Sequence, residues 1–298
     1  LKILIINIDS KIPNYALKKI EAYHRDRKDE VIWDFPLAKY SVDRIYVSCI
    51  FAKNKALCNE YEIMDNAFIG GSGYDLDTNL PDDIESVKPR INLGFTTRGC
   101  IRKCGFCVVP RKEGNIRVVG DLLDLWDGLA KKIVLLDNNI LAMPEHFRLI
   151  CKQARDNKIA LDFNQGLDHR LIDDGVAKEL KSVSHEFYRL AFDHPSYFKN
   201  VEKAIDILHA HGLIYNIWYV LVGYDATIEE DLFRLNYLRN RRERVFLQRY
   251  RHDPIYVPMA QWANNRSWFS KMTFDYFIRN HSKGVRYKEL YRDILKIA

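Results

Sequence analysis

Residues 96–114 read TTRGCIRKCGFCVVPRKEG, and three of the chain's six cysteines, Cys100, Cys104 and Cys107, fall within eight of them. An apolar run of strand length, INLGFT from Ile91, leads directly into this stretch. Thiolates spaced C-x3-C-x2-C can face one centre from a single loop. A structural zinc site closes with four ligands, and no histidine lies between Asp26 and Glu145 to supply the fourth. A zinc site closed within this loop is therefore disfavoured. A cubane [4Fe–4S] cluster is ordinarily held by four cysteines. Three leave one iron open, and an open metal position is a reactive one.

Working outward, apolar strand candidates recur near Ile133 (IVLLD), Ile159 (IALDF), Phe187 (FYRLAF), Ile214 (IYNIWYVLVG) and Val245 (VFLQRY), close to thirty residues apart. A strand, a helix and two loops need about that length. Helical patterns fill the intervals at Val119–Lys131, Pro144–Asn157, Asp173–Lys181, Tyr197–His211 and Thr227–Arg239. Six consecutive βα units predict a partly closed parallel barrel of (β/α)6 type, since a full eight-unit barrel needs about 250 residues. In such a barrel the cysteine loop lies on the C-terminal face, where βα loops carry active sites.

Upstream, KILIINI, DRIYVSCIF and NAFIGGSGYD read as strands, and Pro13 opens a helical stretch to about His24. Alternating strand and helix predicts a small Rossmann-like α/β unit with a parallel sheet. TNLPDDIESVKPR, Thr78 to Arg90, reads as a linker. The expected organisation is α/β throughout: residues 1–85 a Rossmann-like domain, 86–252 the barrel, 253–298 a basic, aromatic helical extension.

The chain has 298 residues and a net charge of +6. From Leu232 to Ala298 there are fifteen Lys and Arg against five Asp and Glu. A basic end suggests a polyanionic partner such as a nucleic acid, against the plainer reading of a solvated helix face. The interleaved aromatics of RNRRERVFLQRYRH and WANNRSWF suit base stacking, or equally a helix with its aromatics buried. No apolar run approaches the length of a membrane span. Six cysteines in a chain this long suggest metal chemistry in a reducing, cytoplasmic setting rather than disulfides.

The octet CIRKCGFC, with Phe106 in the aromatic position, resembles the signature of the radical S-adenosylmethionine (SAM) superfamily, C-x3-C-x-aromatic-C. The resemblance covers about Ile91 to Arg251. It implies that Cys100, Cys104 and Cys107 bind three irons of a [4Fe–4S] cluster whose fourth iron chelates SAM. Reductive cleavage would yield a 5′-deoxyadenosyl radical that abstracts hydrogen from the substrate. A low-potential donor, flavodoxin or ferredoxin, would supply the electron, with Arg98, Arg102 and Lys103 beside the cluster. The strand-two motif of the family, often Gly-Gly-Glu, is replaced by LLDNNIL, where Asp137 and Asn138 would contact SAM. YRLAFDHPS resembles the fourth-strand pattern, which implies that Arg189 pairs the SAM carboxylate and Asp193 faces the ribose. DFNQGLDHR ends the third strand with a dense polar group that includes Gln165. YVLVGYDATIEED resembles the fifth-strand motif without its proline. Gly223 would approach the adenine, while Thr227 and Glu230 have capping-box spacing.

FIGGSG resembles the glycine-rich strand end of cobalamin domains, but the cobalamin signature Asp-x-His-x-x-Gly cannot occur before Gly70, the first glycine. Cobalamin is therefore not expected. Cys49, Cys58 and Cys151 read as buried or incidental thiols. The competing reading from another class is an iron–sulfur or zinc-binding nucleic-acid protein without SAM chemistry.

Overall fold

A computed structural model describes residues 1–296, so the last two residues of the expected extension lie outside the described residues. The chain forms two compact units, Leu1–Asn138 and Asn139–Ala298. The boundary expected near residue 85 falls inside the first. The stretch between Thr78 and Arg90 carries one short helix and otherwise irregular backbone.

In the first unit the elements run β1 (Lys2–Asn7), α1 (Tyr15–Asp26), β2 (Glu30–Trp33), β3 (Arg44–Ser48), α2 (Asn59–Glu62), β4 (Ala67–Gly70), α3 (Asp82–Glu85), β5 (Leu93–Gly94), β6 (Thr97–Arg98), α4 (Val109–Lys112), β7 (Arg117–Val118) and β8 (Lys132–Leu135). The first four strands form a parallel sheet in the order β2-β1-β3-β4. Leu4, Ile6, Ile45 and Val47 fill a core on one face, with Cys49, Cys58 and Tyr61. Ile3 and Ile5 fill the other, with Leu17, Ile20 and Ile84. A parallel sheet covered on both faces explains why β1 reads as an unbroken apolar run. Asn14, not Pro13, caps α1, its side chain accepting from the Leu17 N–H.

The GGSG turn has a packing reason. At Gly71, with φ +100°, a Cβ would stand 2.3 Å from the Cys49 carbonyl oxygen, and at Gly73 a Cβ would meet Phe51 backbone at 2.4 Å. The turn packs flush on the end of β3 and the residues after it, so its glycines serve the chain's own backbone. Cys49 and Cys58 are fully buried beside each other, and burial pushes the Cys58 thiol up to about 12.

Beyond β4 the expected pattern holds only in part. β5 is two residues long and pairs in parallel with β8, Leu93 opposite Val134. The helix expected over Val119–Lys131 is absent. Asp121 accepts from the Leu123 and Asp124 N–H groups, and Asp127 accepts from Leu129 and Ala130. Gly128 takes φ +87°. These Asx turns offer the backbone an alternative to helix and take it.

The second unit alternates regularly: α5 (Pro144–Asp156), β9 (Ala160–Phe163), α6 (Asp174–Ser182), β10 (Arg189–Ala191), α7 (Phe198–Ala210), β11 (Ile217–Val222), α8 (Ile228–Asn240) and β12 (Arg244–Arg249). Strands β10, β11 and β12 form a parallel sheet in that order. A parallel bridge between Leu167 and Leu190 brings the segment after β9 beside β10. These ladders make the class mixed α/β with parallel sheets. Asp173 caps α6, and Thr227 with Glu230 forms the capping box of α8.

Three short α-helices follow, α9 (Tyr256–Ala263), α10 (Arg266–Lys271) and α11 (Phe274–Asn280), and then two 3-10 turns at Val285–Tyr287 and Glu289–Tyr291. Trp262, Phe269, Phe274, Phe277 and Tyr291 are buried and pack on one another, while Tyr276 stays exposed. Asn264 closes the edge of β12: its Oδ1 accepts the Leu247 N–H at 2.6 Å and its Nδ2 donates to the Leu247 carbonyl at 3.0 Å. A side-chain amide thus stands in for a further strand.

Lys158 follows α5 with φ 54°, exposed, in the left-handed region that an L side chain enters at a cost. Lys158→Gly should raise the unfolding free energy by about 1 kcal/mol in urea titration.

Candidate functional site

The cysteine loop is closed at its neck before any ligand is considered. Thr97 and Arg98 pair antiparallel with Val118 and Arg117. The Cys100 N–H donates to the Gly114 carbonyl at 3.2 Å. Gly99 must be glycine: φ is +80°, and a Cβ would lie 2.3 Å from the Asn115 carbonyl oxygen. Glu113 knots the two arms together. Its Oε2 accepts from the Gly99 N–H at 2.8 Å and from Asn138 Nδ2 at 2.7 Å, and pairs with Arg98 Nε at 3.0 Å. Arg98 also lies over the Phe95 ring, 4.2 Å from its centroid.

A second knot holds the arm preceding the cysteines. Asp137, just after β8, is buried. It accepts from the backbone N–H and hydroxyl of both Thr96 and Thr97, the hydroxyls at 2.8 and 2.6 Å. Burial pushes its carboxyl above the ordinary range, opposed by those same donors. Sequence reasoning put Asp137 and Asn138 toward SAM. The structure ties Asp137 to the threonines and Asn138 to Glu113, which makes both loop-positioning residues.

At the tip, Cys100 and Cys104 are half-buried and Cys107 is exposed. The Cys107 N–H donates to the Cys104 carbonyl at 3.0 Å, and the Arg102 N–H donates to Cys100 Sγ at 3.3 Å. Phe106 is half-buried in the turn between the last two cysteines. Among the described residues, no three His, Cys, Asp or Glu side chains stand close enough together to hold a metal ion. The donors nonetheless fit an iron–sulfur cluster in kind: three thiols in one loop, with an amide N–H already aimed at one sulfur, as in cluster sites tuned by such bonds. Gripping a cluster requires the tip to draw its sulfurs together on the anchored neck.

The expected residues of the second unit have partners within that unit. Arg189 forms an ion pair with Asp162 of β9, and its guanidinium lies over the Phe187 ring at 4.8 Å. Gln165 is exposed. Asp168 caps the turn after β9, accepts from Asn139 Nδ2 at 3.2 Å and pairs with Arg170 at 2.7 Å. His169 is buried near the Tyr197 and Trp218 rings. Asp193, past the end of β10, accepts the Leu221 N–H at 3.2 Å. Gly223 follows β11 with φ +75°, and a Cβ there would stand 2.8 Å from the Tyr256 ring. His209 and His211 pair with Glu243 and Asp174, ordinary helix-end contacts.

Sequence reasoning missed Glu113, Asp162, Thr96 and Thr97, and the Asp231–Arg234 pair. Both members of that pair are fully buried. Arg234 donates to the Phe192 and Leu221 carbonyls, while Asp231 accepts the Gly223 N–H at 3.0 Å. The pair strings together the ends of β10 and β11. A signal existed: Asp231, Arg234, Leu235 and Leu238 lie at i, i+3, i+4, i+7, so two charges stand on the buried stripe of α8.

The chain matches no known protein-family model, and no curated protein matches it.

Burial raises the Asp193 carboxyl to about 6 from 3.8. The folded state therefore holds a proton there that the unfolded chain releases, and wild-type stability falls as pH rises from 4 to 6. Asp193→Asn should remove that loss. Its stability relative to wild type should improve by about 2 kcal/mol between pH 4 and pH 7, measured by urea unfolding at each pH.

Proposed function

We propose that this chain is a radical-SAM enzyme, its residues 100–107 holding a [4Fe–4S] cluster. The observation that supports this most is the cysteine loop: three thiols on a tip whose neck is fixed by the β6–β7 pair, Glu113 and Asp137. When bound, the cluster and SAM supply reductive cleavage of the sulfonium and a deoxyadenosyl radical that abstracts hydrogen from a substrate. The protein's own part is to set the loop and to keep its donors in one place. Asp137 and Glu113 hold the neck, and the Arg102 N–H supports Cys100. On this reading the βα series belongs to a partial (β/α)6 barrel. A flavodoxin- or ferredoxin-type donor would be drawn to the cationic loop that carries Arg102 and Lys103.

Anaerobic reconstitution with iron and sulfide tests the reading directly. Wild type should bind about four irons per chain, and with SAM and dithionite should release 5′-deoxyadenosine. Cys100→Ala, Cys104→Ala and Cys107→Ala should each lose the iron and the product. Wild type without iron or product would sink the proposal.

The neck gives a separate prediction. Gly99→Ala should lower iron loading severalfold with the far-ultraviolet circular dichroism unchanged, because strain at φ +80° and the clash with Asn115 both act on the loop. Full loading in this variant would show that the neck does not set the tip.

A further inference from the structure

We infer that the open face of the β10–β11–β12 sheet is a binding site for single-stranded nucleic acid. Register puts three rows of side chains on this face. Arg189, Ile217 and Arg244 stand in one row, Ala191, Tyr219 and Phe246 in the next, then Leu221 with Gln248. The opposite face is closed, with Trp218, Val220 and Val222 fully buried. On the open face Tyr219 meets Phe246 edge-on at 5.8 Å, and beyond the strand end Tyr224 meets Tyr250 at 4.7 Å. Phe246 and Tyr250 remain 47% and 45% exposed. Phe246 lies on β12, and Tyr250 is the first residue past its end. Two exposed aromatic platforms at one end of the sheet suit unstacked bases.

The charge on this face is the second observation. Asp162 neutralises Arg189. Arg244, its register neighbour two strands away, pairs with no carboxylate among the described residues. It lies over the same Phe187 ring at 5.8 Å, and its buried Nε lacks a hydrogen-bond partner. Arg251 follows, exposed, whereas Arg249 pairs in register with Val222 and stands on the other face. Aromatic planes beside an unneutralised guanidinium match a ring bearing an anion, repeated along a strand. Binding as such stands apart from the cluster chemistry. That the bound strand is the molecule acted on rests on the radical-SAM reading.

Fluorescence anisotropy with a labelled 12-nucleotide oligouridylate tests the site, using full-length protein and the triple variant Cys100→Ala/Cys104→Ala/Cys107→Ala. Both should bind equally, with affinity falling as salt rises. That separates failure of this site from failure of the cluster assignment. Phe246→Ala and Tyr250→Ala should each weaken binding about 5- to 100-fold, by the worth of one stacked base. Phe246→Leu, which keeps the apolar contact, should weaken it similarly. Arg244→Gln should lower the salt slope by about 0.7. Phe233→Ala, at an exposed aromatic on α8, should change nothing. No salt-dependent binding, wild-type affinity in Phe246→Leu and Tyr250→Ala, or equal competition by uridine monophosphate or polyglutamate would overturn the inference.

Discussion

A buried carboxylate with four donors sets the first unit's loop geometry. Asp137 stands at the end of β8, and what it grips is the arm forty residues earlier that becomes the cysteine loop. Backbone N–H groups leaving a two-residue strand have no ladder to join, and leaving them unpaired inside the protein costs about 1–3 kcal/mol each. One side chain satisfies two of them and both hydroxyls. Glu113, from the arm after the cysteines, does the same for the Gly99 N–H and the Asn138 amide. The loop can therefore be long and irregular at its tip because its neck is over-determined by side chains rather than by sheet.

The second unit solves the same problem with a buried ion pair. Asp231 and Arg234 take the Gly223 N–H and the Phe192 and Leu221 carbonyls, groups released where β10 and β11 end. A pair this deep gains little over a well-packed apolar pair, because desolvation offsets most of the attraction. Its value lies in geometry: it fixes where two strands stop and where their loops depart. In both units, charged side chains do the backbone's hydrogen bonding at the C-terminal ends of short strands.

This division explains what the sequence could and could not announce. Periodicity is local, so α5, α7 and α8, strands β11 and β12, and the capping box at Thr227 were all legible. The three cysteines stand out in the sequence by their spacing alone. The helix expected over Val119–Lys131 failed because Asp121 and Asp127 turn the chain through their own side chains, a competition that apolar spacing does not register. The short strand β2 was missed because four residues carry little pattern. Asp137 and Asn138 were noticed as a polar cluster after a strand, but their partners within the chain were not. Their partners, Thr96, Thr97 and Glu113, are distant in sequence, and nothing local marks the pairing. The same holds for Arg189, whose partner Asp162 sits one βα unit upstream.

The contrast between Arg189 and Arg244 is informative about what the sheet was shaped for. The two guanidiniums occupy one register row and share the Phe187 ring. A carboxylate beside the first settles its charge. A second carboxylate near Arg244 would settle the other, and would lower the repulsion of a tail that already carries a large positive excess. Among the described residues no carboxylate pairs with Arg244, while Phe246 on β12 and Tyr250 just past its end stay open. Single exposed rings are commonplace on protein surfaces. Two edge-to-face aromatic pairs, one on the sheet and one just past its strand ends, beside an unneutralised cation are harder to reconcile with folding as the only demand on these positions.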